Sequence, residues 1–184
     1  YLVGGVVRDL VLKKPVNELD FMMENPIDET VKQIAAQLSG STRFHPTFLT
    51  ATIMDSKGIA TDFVTSRTEV YDEPAKLPRV SPAPFSQDLK RRDFTINAMA
   101  CLISDEKGGH ILDPYGGQSD LDEKVIRALH ANSFHDDPTR IFRCARFAGR
   151  LDFKIETETQ QHIHRSIQDK MPELLSPTRR RHEF

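Results

Sequence analysis

Apolar residues fall in short alternating runs through the first half of the chain and at helical spacing towards its end. Tyr1-Leu2-Val3 reads as a strand leading into a Gly4-Gly5 turn, followed by a helix from about Val6 to Leu12 that Pro15 stops. From Asn17 to Met23, Leu19 and Phe21 alternate with Glu18 and Asp20, the period of a second strand. Asp28 caps a helix whose Val31, Ile34, Ala35 and Leu38 share one stripe, and Gly40 ends it. Thr50–Asp55 and Ile59–Thr65 predict a β-hairpin across Ser56-Lys57-Gly58. The proline-rich stretch from Tyr71 to Phe85 has little period, so an irregular loop is expected there. A basic and then apolar segment, Lys90 to Cys101, and a short strand at Ile111-Leu112 follow. From about Asp120 the pattern is helical throughout, over Pro138–Leu151 and Thr157–Met171. The pattern predicts a small α/β (α+β) domain over residues 1–125 and the start of a helical domain over 126–184.

The 184 residues, 38% hydrophobic and 28% charged, suffice for one ordinary domain with an appended piece. A net charge of −2 gives no overall basic signal for nucleic acid, so any phosphate binding has to come from a local stripe. Cys101 and Cys144 lack metal-site spacing and stand among apolar residues. A reducing, cytoplasmic setting is expected from them, with no membrane span and no signal peptide. Tyr1 is not an initiator methionine, and the helix opened by Ser176-Pro177 is cut at Phe184, so the chain reads as a piece of something longer.

Glu18 and Asp20 are one residue apart on the second strand, so both carboxylates leave the same face. Two acids this close repel unless a cation lies between them, and Mg²⁺ is the usual oxygen-seeking ion. A lone acid pair on a strand is more often a solvated sheet face. The neighbouring Gly4-Gly5-Val6-Val7-Arg8-Asp9 changes that balance, because a glycine turn at a helix start, with a cationic Arg8, makes an anion site. Asp62 is a third acid on a strand; it shares a face with apolar Ala60 and Val64 and is expected near the metal on the side of the nucleophile. Arg140, Arg143, Arg146 and Arg150 share one helix flank, while Ile141, Ala145 and Ala148 take another. Beside a triphosphate this stripe neutralises charge; alone it reads as a solvated basic face. Lys90-Arg91-Arg92 has the same two readings, with Asp93 and Asn97 favouring a packed polar network. Phe94, Met99 and Phe147 read as core, and the seven histidines form no metal pattern.

Several blocks together resemble the class II tRNA nucleotidyltransferases and bacterial poly(A) polymerases. They are Tyr1–Asp9 with Glu18-Leu19-Asp20-Phe21, Asp88-Leu89-Lys90-Arg91-Arg92-Asp93-Phe94-Thr95-Ile96-Asn97-Ala98, and Asp113-Pro114-Tyr115-Gly116-Gly117 with Asp120-Leu121. Asp136-Asp137-Pro138-Thr139-Arg140 with Arg143, Arg146 and Phe147, and a terminal Arg179 to Glu183, complete the series. The resemblance implies a polymerase-β-like nucleotidyltransferase head followed by an α-helical neck, with the RNA-gripping body beyond Phe184. It implies a two-ion Mg²⁺ site on Glu18 and Asp20, with Gly4, Gly5, Arg8, Arg92 and Asn97 near the phosphates and sugar. Asp137 and Arg140 would read the base, with Arg143 and Arg146 behind them. ATP and CTP would be the substrates, and the 3′ end of tRNA or another RNA the acceptor, with no role for DNA. Arg67-Thr68-Glu69 would, by analogy, take part in switching nucleotide specificity. Two positions depart from the pattern: Glu18 stands where Asp is usual, and Asp136 where Glu is usual.

The implied base reader has a physical logic. Asp137 offers only acceptors and Arg140 only donors. Cytosine and adenine both place an amino donor beside a ring-nitrogen acceptor, which such a pair complements; guanine and uracil present the reverse order. The expected activity is therefore template-independent addition of C and/or A to a tRNA 3′ end. Poly(A) synthesis, CC-only or A-only addition, and a non-catalytic RNA- or nucleotide-binding role are the alternatives.

Overall fold

A computed structural model describes residues 1–16, 18–103, 109–181 and 183. Asn17, His182 and Phe184, which figure in the expected second strand and terminal motif, lie outside the described residues. The elements run β1 (Leu2–Val3), α1 (Gly5–Val11), β2 (Leu19–Met23), α2 (Asp28–Gln37), β3 (Ser41–His45), β4 (Thr50–Met54), β5 (Ala60–Thr65), β6 (Arg67–Val70), β7 (Arg79–Pro82), α3 (Phe85–Lys90), β8 (Ala100–Leu102) and β9 (His110–Leu112). Then follow α4 (Gly117–Asp122), β10 (Val125–Ile126), α5 (Ser133–Asp136), α6 (Thr139–Leu151), β11 (Lys154–Ile155), α7 (Thr157–Gln168) and α8 (Pro177–Arg181).

Seven strands form one mixed sheet in the order β3-β4-β5-β2-β1-β8-β9. Within this sheet, among the described residues, β2 and β5 are the parallel pair, and their register sets Asp20 directly opposite Asp62. The alternation seen in the sequence sorts β2 across the sheet. Phe21 and Met23 pack with α2 over the cluster of Ile27, Val31, Ala35, Ile53 and Phe63, where Phe21 stacks on Phe63 at 5.1 Å. Met22 lies in a different cluster with Val3, Leu89 and Ala100. Asp20 is two residues from Met22 and shares its face, so its place in the sheet follows from the burial of its neighbours.

Two expected assignments are corrected. The stretch from 71 to 85 is not all irregular: β7 pairs antiparallel with β6, and α3 opens at Phe85. Pro82 is accommodated because this ladder has only two strands, so the missing N–H can face outwards. The segment after Asp120 is not wholly helical either, because β10 and β11 pair in parallel with Val125 opposite Lys154. Finally, Ser41–His45, unassigned by pattern, is an edge strand beside β4.

The helical part shares its core with the sheet. Val6, Val7, Phe94, Ile96 and Ile126 form one cluster with Phe134, Cys144, Phe147, Leu151 and Phe153. On α6 the buried stripe is Arg140, Cys144, Phe147 and Leu151, at helical spacing. Ala145, expected on the buried flank, is exposed, and Arg140, expected on the basic flank, is buried. Burial pushes the Cys144 thiol up to about 12, with the Asp93 charge adding to it, which leaves this cysteine unreactive.

Candidate active site

The strand-to-helix turn begins the site. Gly4 has φ +72°, and its N–H donates to the Met99 carbonyl at 3.2 Å. A Cβ at Gly4 would stand 2.9 Å from Arg92 Nη1. The dihedral favours glycine, and an added Cβ would also push the Arg92 guanidinium aside. Gly4→Ala is expected to cost about 1–3 kcal/mol of stability through the strained backbone alone. Because it also displaces Arg92, nucleotide titration should show weaker binding than a thermally matched control variant; unchanged affinity would remove Gly4 from the site.

Behind the turn lies a chain of polar contacts. Arg8, 3% exposed, donates from Nη1 to Asn97 Oδ1 at 2.7 Å and from Nε to Asp9 Oδ1 at 2.9 Å. Asn97 Nδ2 donates to Asp93 Oδ1 at 3.0 Å, and Arg143 grips Asp93 Oδ2 through Nε at 2.8 Å and Nη2 at 2.6 Å. Burial by itself would raise the Asp93 carboxyl, but the Arg143 charge and the hydrogen bonds from Asn97 and Arg143 hold it below the usual carboxylate range. A second hub is fully buried Asp88, which accepts from Arg91 and Arg92 side chains and from the Arg67 N–H. The packed network expected around Asp93 and Asn97 is thus present, and it extends to Arg8 and Arg143.

The acids stand along one edge of this network. Glu18 precedes β2 and is exposed, whereas Asp20 is half-buried in the strand. Burial pushes the Asp20 carboxyl up, Asp62 adds to this, Arg92 opposes it, and Glu18 adds again. Asp62 is exposed, as is Ala60, so the apolar surroundings expected for it are absent on that side. Its Oδ1 accepts a hydrogen bond from the Thr52 hydroxyl.

A cleft of about 700 Å³ gathers most of the expected residues: Gly4, Gly5, Arg8, Glu18, Asp20, Arg92, Asn97, Asp137, Arg140, Arg143 and Arg146 all line it. Asp62 lines an adjoining cavity of about 360 Å³ instead, together with Asp20 and Arg92, so Asp20 faces both. Among the described residues, no group of three His, Cys, Asp or Glu side chains is arranged to hold a metal unaided. Asp62, expected near the metal, thus does not join Glu18 and Asp20 in a three-acid site; Mg²⁺ can bind through one or two carboxylates plus substrate phosphates. The mutual repulsion on Asp20 and the all-oxygen donors of Glu18 and Asp20 fit such an ion.

In the same cleft, Asp137 and Arg140 are held by different partners. Asp137 Oδ1 accepts from Thr139 N–H at 3.0 Å, Thr139 Oγ1 at 2.7 Å and Arg179 Nη2 at 2.8 Å. Arg140 donates from Nη1 to Ser133 Oγ at 2.7 Å and from Nη2 to the Arg91 carbonyl at 2.8 Å. Two of its five N–H groups are thereby used and the guanidinium plane is fixed. Arg146 pairs with Glu183 at 3.1 Å.

Glu69 and Tyr71 form a lining pair that the sequence pattern does not single out, beyond the family analogy at Arg67-Thr68-Glu69. Glu69 accepts from Arg67 at 2.9 Å, Arg91 at 2.8 Å and the Tyr71 hydroxyl at 3.0 Å, and both Glu69 and Tyr71 line the large cleft. The Tyr71 phenol is pushed up by burial and then by the Glu69 charge, so it remains a hydrogen-bond donor at neutral pH. The polar period of Arg67–Val70 carried no apolar signal that a sequence reading can use.

A mixed α/β sheet with carboxylates at its centre, a glycine turn and converging guanidiniums defines the head of a nucleotidyltransferase-like fold. The chain belongs to the Poly A polymerase head domain family, whose profile matches residues 1–127. It is similar to an A-adding tRNA nucleotidyltransferase of Aquifex aeolicus, 44% identical over 91% of the chain and 20% of the relative, and to a CC-adding tRNA nucleotidyltransferase of Deinococcus radiodurans, 36% identical over 82% of the chain and 40% of the relative. Among solved structures, an apo CCA-adding enzyme superposes with a TM-score of 0.90 at 40% identity, covering 99% of the chain and 43% of that structure. A tRNA nucleotidyltransferase complexed with a primer tRNA and an incoming ATP analog gives 0.86 at 39% identity, covering 100% of the chain and 51% of that structure. The chain spans 19–41% of the length of these and the other most similar curated relatives. No helix among the described residues is long and apolar enough to cross a membrane.

Proposed function

We propose that the whole protein adds C and/or A from CTP or ATP to the 3′ end of tRNA without a nucleic acid template. The observation that carries this reading is the single cleft that gathers an acid pair, Glu18 and Asp20, a set of guanidiniums and the Asp137/Arg140 pair. Its volume of about 700 Å³ suits a nucleoside triphosphate. The RNA 3′-hydroxyl oxygen bonds to the α-phosphorus as the bond to pyrophosphate breaks, and the hydroxyl proton passes to the Asp62 carboxylate. Glu18 and Asp20 would hold Mg²⁺, which supplies Lewis-acid charge to the phosphates and the hydroxyl when bound. Arg8, Arg92 and Arg143 offset phosphate charge from positions fixed by Asn97, Asp88 and Asp93. Asp137 and Arg140 present acceptor and donor edges that match cytosine and adenine. Residues 126–184 act, in this reading, as the neck that carries the base-reading pair, and the reaction takes place in the cytoplasm.

A second reading, A-only addition, is favoured by the names of three similar relatives, A-adding enzymes at 44%, 38% and 38% identity. The test offers the whole protein tRNAs lacking the last one, two or three nucleotides of a CCA end, with ATP or CTP separately. Extension of every end supports CCA addition. Extension of the one-nucleotide-short tRNA by ATP alone supports the A-adding reading, and no extension of any end overturns both.

A further inference from the structure

The ring of Phe147 carries more charge than a core residue ordinarily meets. The guanidinium carbons of Arg8, Arg143 and Arg150 lie 5.2, 5.5 and 5.3 Å from its centroid. All three distances fall within the range of a cation–π contact. Phe147 is 6% exposed, is braced edge-on by Phe94 at 5.9 Å and 84°, and lines the large cleft.

The three arginines come from different constraints. Arg8 is fixed by Asn97 and Asp9, and Arg143 by Asp93. Arg150 is exposed at the end of α6. Like charges this close repel one another, and the negative ring face offsets part of that repulsion without consuming any N–H donor. Asp9 and Asp93 each pair one of these cations from the side, and the ring adds a contact that takes up none of their remaining N–H donors.

Resting on the nucleotidyltransferase reading, we propose that Phe147 is a positioning residue for the triphosphate: its ring faces hold Arg8, Arg143 and Arg150 together as one cationic platform. It touches no reacting atom and acts through the guanidiniums. Its loss therefore weakens nucleotide binding and spares the chemical step.

The test compares whole wild-type protein with Phe147→Leu, Phe147→Tyr and Arg150→Gln. ATP affinity is read by calorimetry, and KM and kcat by incorporation into tRNA. Phe147→Leu is expected to raise both Kd and KM by about tenfold, equivalent to about 1.4 kcal/mol, with kcat within about twofold. Phe147→Tyr, which keeps the ring, restores both constants. Arg150→Gln changes an exposed residue and leaves the core intact; combined with Phe147→Leu it adds less than its separate effect, because the two share one interaction. Unchanged Kd in Phe147→Leu, equal defects in the Leu and Tyr variants, or strict additivity with Arg150→Gln overturns the platform. A wild type that binds ATP but extends no RNA overturns the nucleotidyltransferase reading while the affinity series still decides the platform.

Discussion

Asp20→Ala is expected to lower nucleotide incorporation by roughly 10³-fold or more, the scale of losing several kcal/mol of charge stabilisation at a reacting phosphate. Asp20 is the acid that borders both cavities, so its removal affects the triphosphate side and the Asp62 side together. Its folded environment is unfavourable to its own charge, with burial and two acids set against Arg92. Removing it therefore relieves repulsion, and the melting temperature should hold or rise while activity disappears. Incorporation within tenfold of wild type, measured at saturating ATP and Mg²⁺, would remove Asp20 from the mechanism.

The opposite signature is expected at Asp93. Asp93→Ala leaves Arg143 without its partner and frees the Asn97 amide and the Phe94 N–H from their shared acceptor. Breaking a buried ion pair from one side costs about 3–5 kcal/mol. Arg143 keeps a third of its side chain in solvent, so the lower end of that range applies. Denaturant unfolding checks the magnitude. The pH dependence checks the cause: Asp93 and Asp88 are both held below the usual carboxylate range, so the native state binds fewer protons than the unfolded chain. Their stabilisation is complete above the unfolded carboxylate pKa of about 4 and is lost as pH falls through the depressed folded values. Asp93→Asn should flatten the stability profile below about pH 4; a profile parallel to wild type would mean that the ion pair is not what Asp93 supplies.

The acid pair and the glycine turn were legible because both are local. Period-two alternation around Glu18 and Asp20 fixes a shared face, and a Gly-Gly step before an apolar helix fixes a turn, with no knowledge of distant contacts. Arg140 shows where such reasoning stops. Its spacing with Arg143 and Arg146 places it on a basic flank, yet Ser133 and the Arg91 carbonyl draw it into the interior. The β10–β11 pair was invisible for a similar reason: two-residue strands carry no period, and their partners come from far apart in sequence. The Phe147 platform was half legible, since Arg143 and Arg150 flank it at helical spacing, but Arg8 arrives from the other end of the chain.

The shared core has a bearing on how this protein can be divided. The family profile ends at residue 127, but Val7, Phe94, Ile96 and Ile126 are covered by Phe134, Phe147, Leu151 and Phe153 from beyond that point. A head excised at the profile boundary would show those side chains to water, a contiguous oily patch of the kind that drives self-association. Cutting the chain at residue 127 is therefore expected to expose this core, and α5 and α6 are what cover it.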